Sequence, residues 1–160
     1  MLGIISSPET NLGDISTLLL PRLLKTSYIK LEVGHNSKDM AGRAEEAIPL
    51  FQRAIRLSPF GPSYIYREFG VALRITGRFE EAVSVLKKAI QIAPDNISAH
   101  MCLAATYSMM GREREARAEA AEVLRINPKF SVDYYAKTFS NKDQSQNDKM
   151  VNALRKAGLK

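Results

Sequence analysis

The sequence of 160 residues contains no tryptophan, a single cysteine at Cys102, and no apolar run approaching eighteen residues. One cysteine cannot form an intramolecular disulfide, which is compatible with a reducing compartment. A helix that spans a membrane needs about 20 consecutive apolar residues, whereas the run at residues 15–20 stops at Pro21. No basic region precedes an apolar stretch at the N-terminus, so no secretory signal is predicted. We therefore expect a cytoplasmic protein without a membrane segment.

The sequence also has no block of like charges. Its net charge of +6 could favour nucleic acid or another anionic partner. Lysine and arginine are nevertheless spread among glutamates on predicted helical segments, a pattern typical of a solvated surface. Nucleic-acid binding is therefore the weakest hypothesis, and it predicts a steep dependence of binding on salt.

Residue sets that perform catalysis or hold a cofactor are missing. His35 and His100 are the only histidines, and His100 near Cys102 lacks the further ligands of a zinc site. No glycine-rich phosphate loop occurs. Glutamate pairs recur at residues 45–46 and 80–81, near predicted helix starts, where they complement the helix dipole. We predict no enzyme activity, no metal and no cofactor, and we expect His100 to pack in the core.

Self-comparison shows an internal repeat, which decides the fold. Three stretches each open with Gly-Arg, have alanine at the sixth place and close with proline. They are residues 42–59, 77–94 and 111–128, and the second and third begin 35 and 34 residues after the stretch before them. Apolar residues within them recur at spacings of three and four, which predicts helices with a wide apolar stripe.

The residues around these stretches predict where helices end and begin. Gly77 stands where a turn needs positive φ, and Pro94 stands where a helix cannot continue. A further helix is predicted before each of the last two stretches, at residues 63–76 and 97–110. Asp95 and Asn96 supply N-cap chemistry for the second of these helices.

Bulky, small and apolar residues recur in a fixed order along both predicted helix pairs. In the repeat from residue 63 they are Tyr66, Phe69, Gly70, Leu73, Gly77, Phe79, Ala82, Leu86, Ala89 and Pro94. In the repeat from residue 97 they are His100, Leu103, Ala104, Tyr107, Gly111, Ala116, Ala120, Val123 and Pro128, with Glu113 in place of the aromatic residue. This order resembles the tetratricopeptide repeat (TPR), in which the small residue lets the paired helices approach closely. The resemblance implies an all-α solenoid of antiparallel helix pairs that binds another polypeptide.

The repeat pattern divides the chain into five parts. They are an unassigned segment at 1–40, an incomplete repeat with helix B only at 41–62, full repeats at 63–96 and 97–130, and a C-terminal cap at 131–160. In the incomplete repeat, the place of helix A holds Gly-His-Asn-Ser-Lys-Asp at residues 34–39, which is turn chemistry. We expect the first segment to be partly helical or disordered. A capping element, a leader and the remnant of a larger gene all stay open for it.

The incomplete repeat leaves an apolar face to be covered on the helix predicted at residues 44–57. Leu50, Phe51 and Ala54 lie on this face, and full exposure of Leu50 or Phe51 would forgo about 1.5–3 kcal/mol each. Residues 15–25, a second copy of the chain and an upstream domain are three candidate covers. These three residues are therefore a candidate self-association face, and a dimer is an alternative role for the protein.

The last predicted helix, within residues 144–158, has a face of each kind. Met150, Val151 and Leu154 form the apolar face, and Lys149, Asn152 and Arg155 contribute to the polar one. We predict that it caps the C-terminal end of the array.

Segments inside and beyond the repeats carry a second resemblance. They are Arg56-Leu-Ser-Pro-Phe60, Gly42-Arg-Ala-Glu-Glu-Ala47, Asn127-Pro-Lys-Phe-Ser131 and Leu154-Arg-Lys-Ala-Gly-Leu159. On these segments, residues 40–159 resemble the C-terminal TPR region of bacterial class III adenylate/guanylate cyclases. The resemblance implies no cyclase activity, since the catalytic residues of those enzymes lie in a separate domain that no segment here matches. A regulatory remnant of a nucleotide-cyclase-type protein is a further alternative.

In TPR arrays, helix A of each pair lines the concave groove. The groove positions fall here on Tyr64, Arg67, Val71, Arg74, Ser98, Met101, Ala105 and Ser108. This mixture of cationic and apolar residues suits a helix or an extended segment with acidic and apolar side chains, although ordinary surface residues would also explain it. The Lys and Asn set of a chaperone-type carboxylate clamp is replaced by Arg67, Val71, Met101 and Cys102, which excludes chaperone C-terminal peptides as partners.

Overall fold

The computed structural model of the protein describes residues 43–138 and 144–160. The predictions for residues 1–40, including the cover offered by residues 15–25, lie outside the described residues. Within the described ranges all regular structure is helical. The helices are α1 (Ala44–Leu57), α2 (Ser63–Ile75), α3 (Phe79–Ile92), α4 (Ile97–Met109), α5 (Glu113–Ile126), α6 (Val132–Thr138) and α7 (Gln144–Lys156).

The helices stack in sequence order as a short solenoid. Helix α2 packs on α3 and α4 packs on α5, while α1 covers α2 and α3 contacts α4. The predicted all-α class with stacked helix pairs is therefore confirmed. None of these helices is long and apolar enough to cross a membrane, among the residues that the structure describes.

Glycine closes the turn inside each helix pair. Gly77 has φ +79° and Gly111 has φ +74°, as predicted for Gly77. The amide of Arg78 then donates to the Leu73 carbonyl at 2.8 Å, and the amide of Arg112 donates to the Tyr107 carbonyl at 2.9 Å. These bonds satisfy carbonyls at the C-termini of α2 and α4, in the manner of a Schellman motif.

Gly70 serves a different purpose from the turn glycines, because its place is set by packing. A Cβ atom on Gly70 would lie 2.5 Å from Cγ of Leu86, a side chain that is fully buried on α3. The predicted close approach of the paired helices is therefore confirmed at this position.

The core runs through the whole stack of helices. At one end, Phe51 of α1 stacks on Phe69 of α2 with ring centroids 5.7 Å apart. At the other end, the buried residues of α4 and α5 join those of the C-terminal helices. Leu73, Leu103 and Val123 are completely buried between these ends.

A hydrogen-bond chain joins the two full helix pairs. The side-chain oxygen of Asn96 accepts from the Ala99 amide at 3.2 Å, so the predicted N-cap of α4 is confirmed. The Asn96 amide group donates to Oγ of Ser63 at 2.9 Å, and this hydroxyl donates to the Ala89 carbonyl at 2.9 Å. Asp95 instead accepts from Arg125 at 2.8 Å.

The C-terminal helices fold back onto the inner helices. Helix α7 packs against α4 and α6, with Met150 and Leu154 buried and Lys149, Asn152 and Arg155 exposed. The amide of Val132 donates to the Lys160 carbonyl at 2.8 Å. These contacts place α7 beside α2 and α4, where it forms one wall of the candidate site.

Candidate binding cleft

A cleft of about 500 Å³, here called the main chamber, lies between the inner helices α2 and α4 and the C-terminal helices. Its wall from α2 includes Arg67, Glu68, Val71 and Arg74, while α4 contributes Met101 and α7 contributes Met150. Its volume falls in the range of about 300–1,000 Å³ that is usual for ligand sites.

A second chamber of about 380 Å³ lies between the C-terminal ends of α2 and α4 and the outer turns of α7. Ser108, Lys149 and Lys156 line it, and Arg74 lines both chambers. Arg74 therefore borders two adjoining spaces.

Most of the predicted groove residues lie around these two spaces. Arg67, Val71, Arg74, Ser98 and Met101 line the main chamber, and Ser108 lines the second. Tyr64 and Ala105 line neither chamber. Ala105 is fully buried in the core, and Tyr64 is partly buried.

Other residues of the main chamber were not predicted from the sequence. Glu68 was missed because it is not one of the family's groove positions. Lys129, Phe130 and Tyr135 come from the segment that follows α5, and Gln146 comes from α7. The aromatic residues after Pro128 were a visible signal, but nothing in their spacing told which surface they would meet.

Two chamber residues have buried polar atoms without a hydrogen-bond partner among the described residues, namely Oε2 of Glu68 and Nε of Arg74. The other oxygen of Glu68 lies 2.5 Å from Nη2 of Arg67. Burial raises the pKa of Glu68 above its usual 4.5, and the charge of Arg67 opposes this shift. The buried hydroxyl of Tyr64, nearby on α2, also has no partner within the same ranges.

Arg74 is a buried cation without a carboxylate partner among the described residues. The residue is only 7% exposed, and Nη1 lies 4.0 Å from the sulfur of Met109. No carboxylate within residues 43–138 and 144–160 lies within ion-pair distance of it. A buried charge without compensation is costly, so this position favours a nearby anion.

Burial raises the pKa of two further titratable groups in the main chamber. Burial raises the pKa of the Cys102 thiol, against the opposing charges of Arg74 and Arg67. Burial also raises the pKa of Tyr135 to about 12. Both groups are therefore neutral near pH 7, and a buried neutral thiol is inert.

His100 packs in the core as predicted, with 4% of its surface exposed. Its Nε2 donates to the Pro94 carbonyl at 2.8 Å, and Nδ1 lies 2.7 Å from a carboxylate oxygen of Glu119. The histidine therefore ties α4 to α5. In the part of the chain that the structure describes, no three His, Cys, Asp or Glu side chains are grouped so as to hold a metal ion.

The candidate self-association face is largely covered by the chain itself. Phe51 is 1% and Ala54 is 7% exposed, and both belong to a core cluster that includes Phe69 and Leu73 of α2. Leu50 is partly buried against the same cluster. Of the three predicted residues, Leu50 alone keeps an exposed part.

Comparison with known proteins agrees with this architecture. Residues 73–137 match the family model described as "Tetratricopeptide repeat", and a search of the curated proteins found no match. Among solved structures, a mutant form of the protein MamA is 25% identical, with a TM-score of 0.51 over 68% of this chain and 71% of that one.

Two further solved structures extend the likeness. The TPR domain of Arabidopsis OM64 is 15% identical, with a TM-score of 0.57 over 87% of this chain and 92% of that one. The protein TTC0263 of Thermus thermophilus, a thermophilic TPR protein, is 21% identical, with a TM-score of 0.52 over 89% and 69% of the two chains. Together with the helix pairs and their turns, these matches show that the chain folds as an all-α tetratricopeptide-repeat solenoid.

Proposed function

We propose that the protein is a non-catalytic interaction scaffold that binds a segment of another polypeptide in the main chamber. The observation that supports this most is that two residues of the chamber wall, Glu68 and Arg74, have buried polar atoms without a partner among the described residues. An unsatisfied buried polar group costs about 1–3 kcal/mol, and more when it is charged. Both atoms are enclosed, so a bound segment satisfies them only where these flexible side chains turn toward the chamber.

The charges and apolar residues of the chamber favour a particular kind of segment. Among the described lining residues, Arg67, Arg74 and Lys129 face a single carboxylate, Glu68, so the wall is net positive. Val71, Met101 and Met150 add apolar surface. A segment with acidic and apolar side chains complements both features.

The location of the chamber supports the same proposal. Solenoid proteins use their extended concave surfaces for binding, and the chamber lies on the inner helices α2 and α4. Helices α6 and α7 close one side of it, which limits the segment to a few residues.

A peptide selection tests this function. A random library of short peptides would be selected on the purified protein, and enriched peptides would be measured by calorimetry. We expect the enriched sequences to combine acidic and apolar residues. Because Arg67→Glu reverses a charge in the wall, it should weaken their binding by roughly ten-fold or more. The matched control Arg53→Glu, at an exposed position on α1, should leave the affinity unchanged. Equal loss in both variants, or enrichment without acidic residues, would refute the proposal.

The alternatives have less support. Dimerisation through the incomplete repeat has to use Leu50 without Phe51 or Ala54, since both are buried within the chain. Descent from a nucleotide-cyclase-type protein, nucleic-acid binding and a cytoplasmic location stay predictions from the sequence.

A further inference from the structure

We propose that the second chamber is an anion site for a phosphoryl dianion, and that helix α7 supplies half of it. Three cations line the chamber, namely Arg74, Lys149 and Lys156, and the lining residues that the structure describes include no carboxylate. Ser108, Gln146 and Asn152 add neutral groups that can donate hydrogen bonds. This site adjoins the proposed peptide site and shares Arg74 with it, but neither lysine lines the main chamber.

Arg74 gives the strongest argument for a ligand. It is more than nine-tenths buried and its Nε has no partner within the described ranges. The only side chain to which it hydrogen-bonds among the described residues is Met109, whose sulfur is a weak acceptor. The fold thus holds a desolvated arginine beside the second chamber.

The two lysines complete the charge distribution. Lys149 and Lys156 lie seven positions apart on α7, so two turns of the helix bring them to one face. Both are exposed, and neither forms an ion pair within the described ranges. These three cations have no ion-pair partner among the described residues. Like charges repel one another, and an anion between them removes that repulsion.

Charge and donor number favour a phosphoryl dianion over a carboxylate. Arginine and lysine are the usual partners of phosphate, arginine as a planar fork and lysine as a point charge. Three cations exceed what one carboxylate can balance. The main chamber is the poorer site for a dianion, because Glu68 stands in its wall.

A titration with inorganic phosphate tests the site. Proton and nitrogen NMR spectra, including the arginine Nε–H signals, would be recorded at constant ionic strength balanced with sodium chloride. We expect a saturable shift of the Arg74 Nε–H signal. The double variant Lys149→Gln/Lys156→Gln should raise the apparent Kd by roughly ten-fold or more, since each lost contact to a charged group weakens binding.

A charge-matched control separates a local site from general attraction to a basic protein. Lys87→Gln/Lys88→Gln removes the same charge from exposed positions on α3 and should leave the Kd unchanged. Both variants alter exposed residues, and their amide spectra verify that the fold is retained. Equal affinities in all three proteins, or equal shifts with acetate, would overturn the proposal.

Two further ligands identify the source of the dianion. N-acetyl-O-phosphoserine amide presents it from a protein side chain, and AMP presents it from a nucleotide. Tighter binding of either one than of inorganic phosphate supports the site and names its ligand class. Equal binding of all three supports a site for free phosphate.

Discussion

The outer surface and the inner cleft of this solenoid treat their charged residues in opposite ways. On the outside, Arg78 pairs with Glu81 at 2.6 Å, and Arg125 pairs with Asp95 and Glu122 at 2.8 Å each. In the cleft, Arg74 has no carboxylate partner among the described residues and Glu68 leaves one oxygen unsatisfied. The outer pairs are thus complete within the described residues, whereas Arg74 and one oxygen of Glu68 find no partner there.

Local geometry explains the outer half of this comparison. Arg78 and Glu81, like Arg112 and Glu115, stand three residues apart at the start of a helix, where such side chains are neighbours. Exposed pairs of this kind contribute little to stability. Their value lies in keeping the surface solvated, whereas the unsatisfied buried groups carry a cost that points to function.

The largest expected effect concerns the contact between the inner helix α2 and the outer helix α3, where Gly70 meets Leu86. Leu86→Ala should destabilise the protein by about 2–5 kcal/mol, since it opens a cavity in the core. Gly70→Ala should cost about 1–3 kcal/mol through overpacking, because its Cβ would lie 2.5 Å from Cγ of Leu86. Combined, the two changes should cost less than their sum, as the new methyl group occupies the space that Leu86 vacates. Urea denaturation measures all three variants.

Leu124→Ala serves as the control for this cycle. Leu124 lies on the outer helix α5 and is 40% exposed, so its truncation should cost much less than that of Leu86. Strictly additive costs at positions 70 and 86 would show that the layers do not meet at Gly70.

The next prediction compares an inner and an outer arginine through the sign of the change in folding stability. Arg74→Met removes a buried charge without a partner among the described residues and keeps an apolar side chain in place. It should stabilise the unliganded protein by about 1–3 kcal/mol. Arg125→Met removes an outer arginine that has two carboxylate partners, and it should slightly destabilise the protein. Chemical denaturation without phosphate measures both changes. A loss of stability in Arg74→Met would mean that the chain already satisfies this guanidinium group.

The outer half of the molecule was largely predictable from the sequence, because its helix ends depend on residues that are close together in the chain. Gly-Arg before the outer helices and proline after them predicted α1 at the residues observed, 44–57. Gly77 and Asn96 were predicted in their observed roles because turns and caps depend on neighbouring residues.

The cleft was predictable only in part, because burial is a tertiary property. Arg67, Val71 and Met101, which the repeat pattern assigned to the groove, line one chamber in the structure. The pattern could not show that α7 packs against α4, because periodicity identifies an apolar face without naming what covers it. The lack of a described carboxylate within ion-pair distance of Arg74 and the pairing of His100 with Glu119 across 19 positions are tertiary features as well.

The smallest expected effect compares two glutamates, one from each half, through their dependence on pH. Burial raises the pKa of Glu68 above 4.5, while the hydrogen bond from Arg78 lowers that of Glu81 below it. Folded Glu68 therefore holds its proton more tightly than the unfolded chain does, and its contribution to stability is lost as the pH rises through the raised pKa. The contribution of Glu81 depends on pH in the opposite direction, since it is present above pH 4.5 and is lost as the pH falls.

Relative to the wild type, Glu68→Gln should gain stability as the pH rises from about 4 to about 7, and Glu81→Gln should lose it. Urea midpoints across this range measure both slopes. If the stability of both variants changed with pH in the same way, the two carboxylates would lie in equivalent surroundings and the contrast between the two glutamates would be wrong.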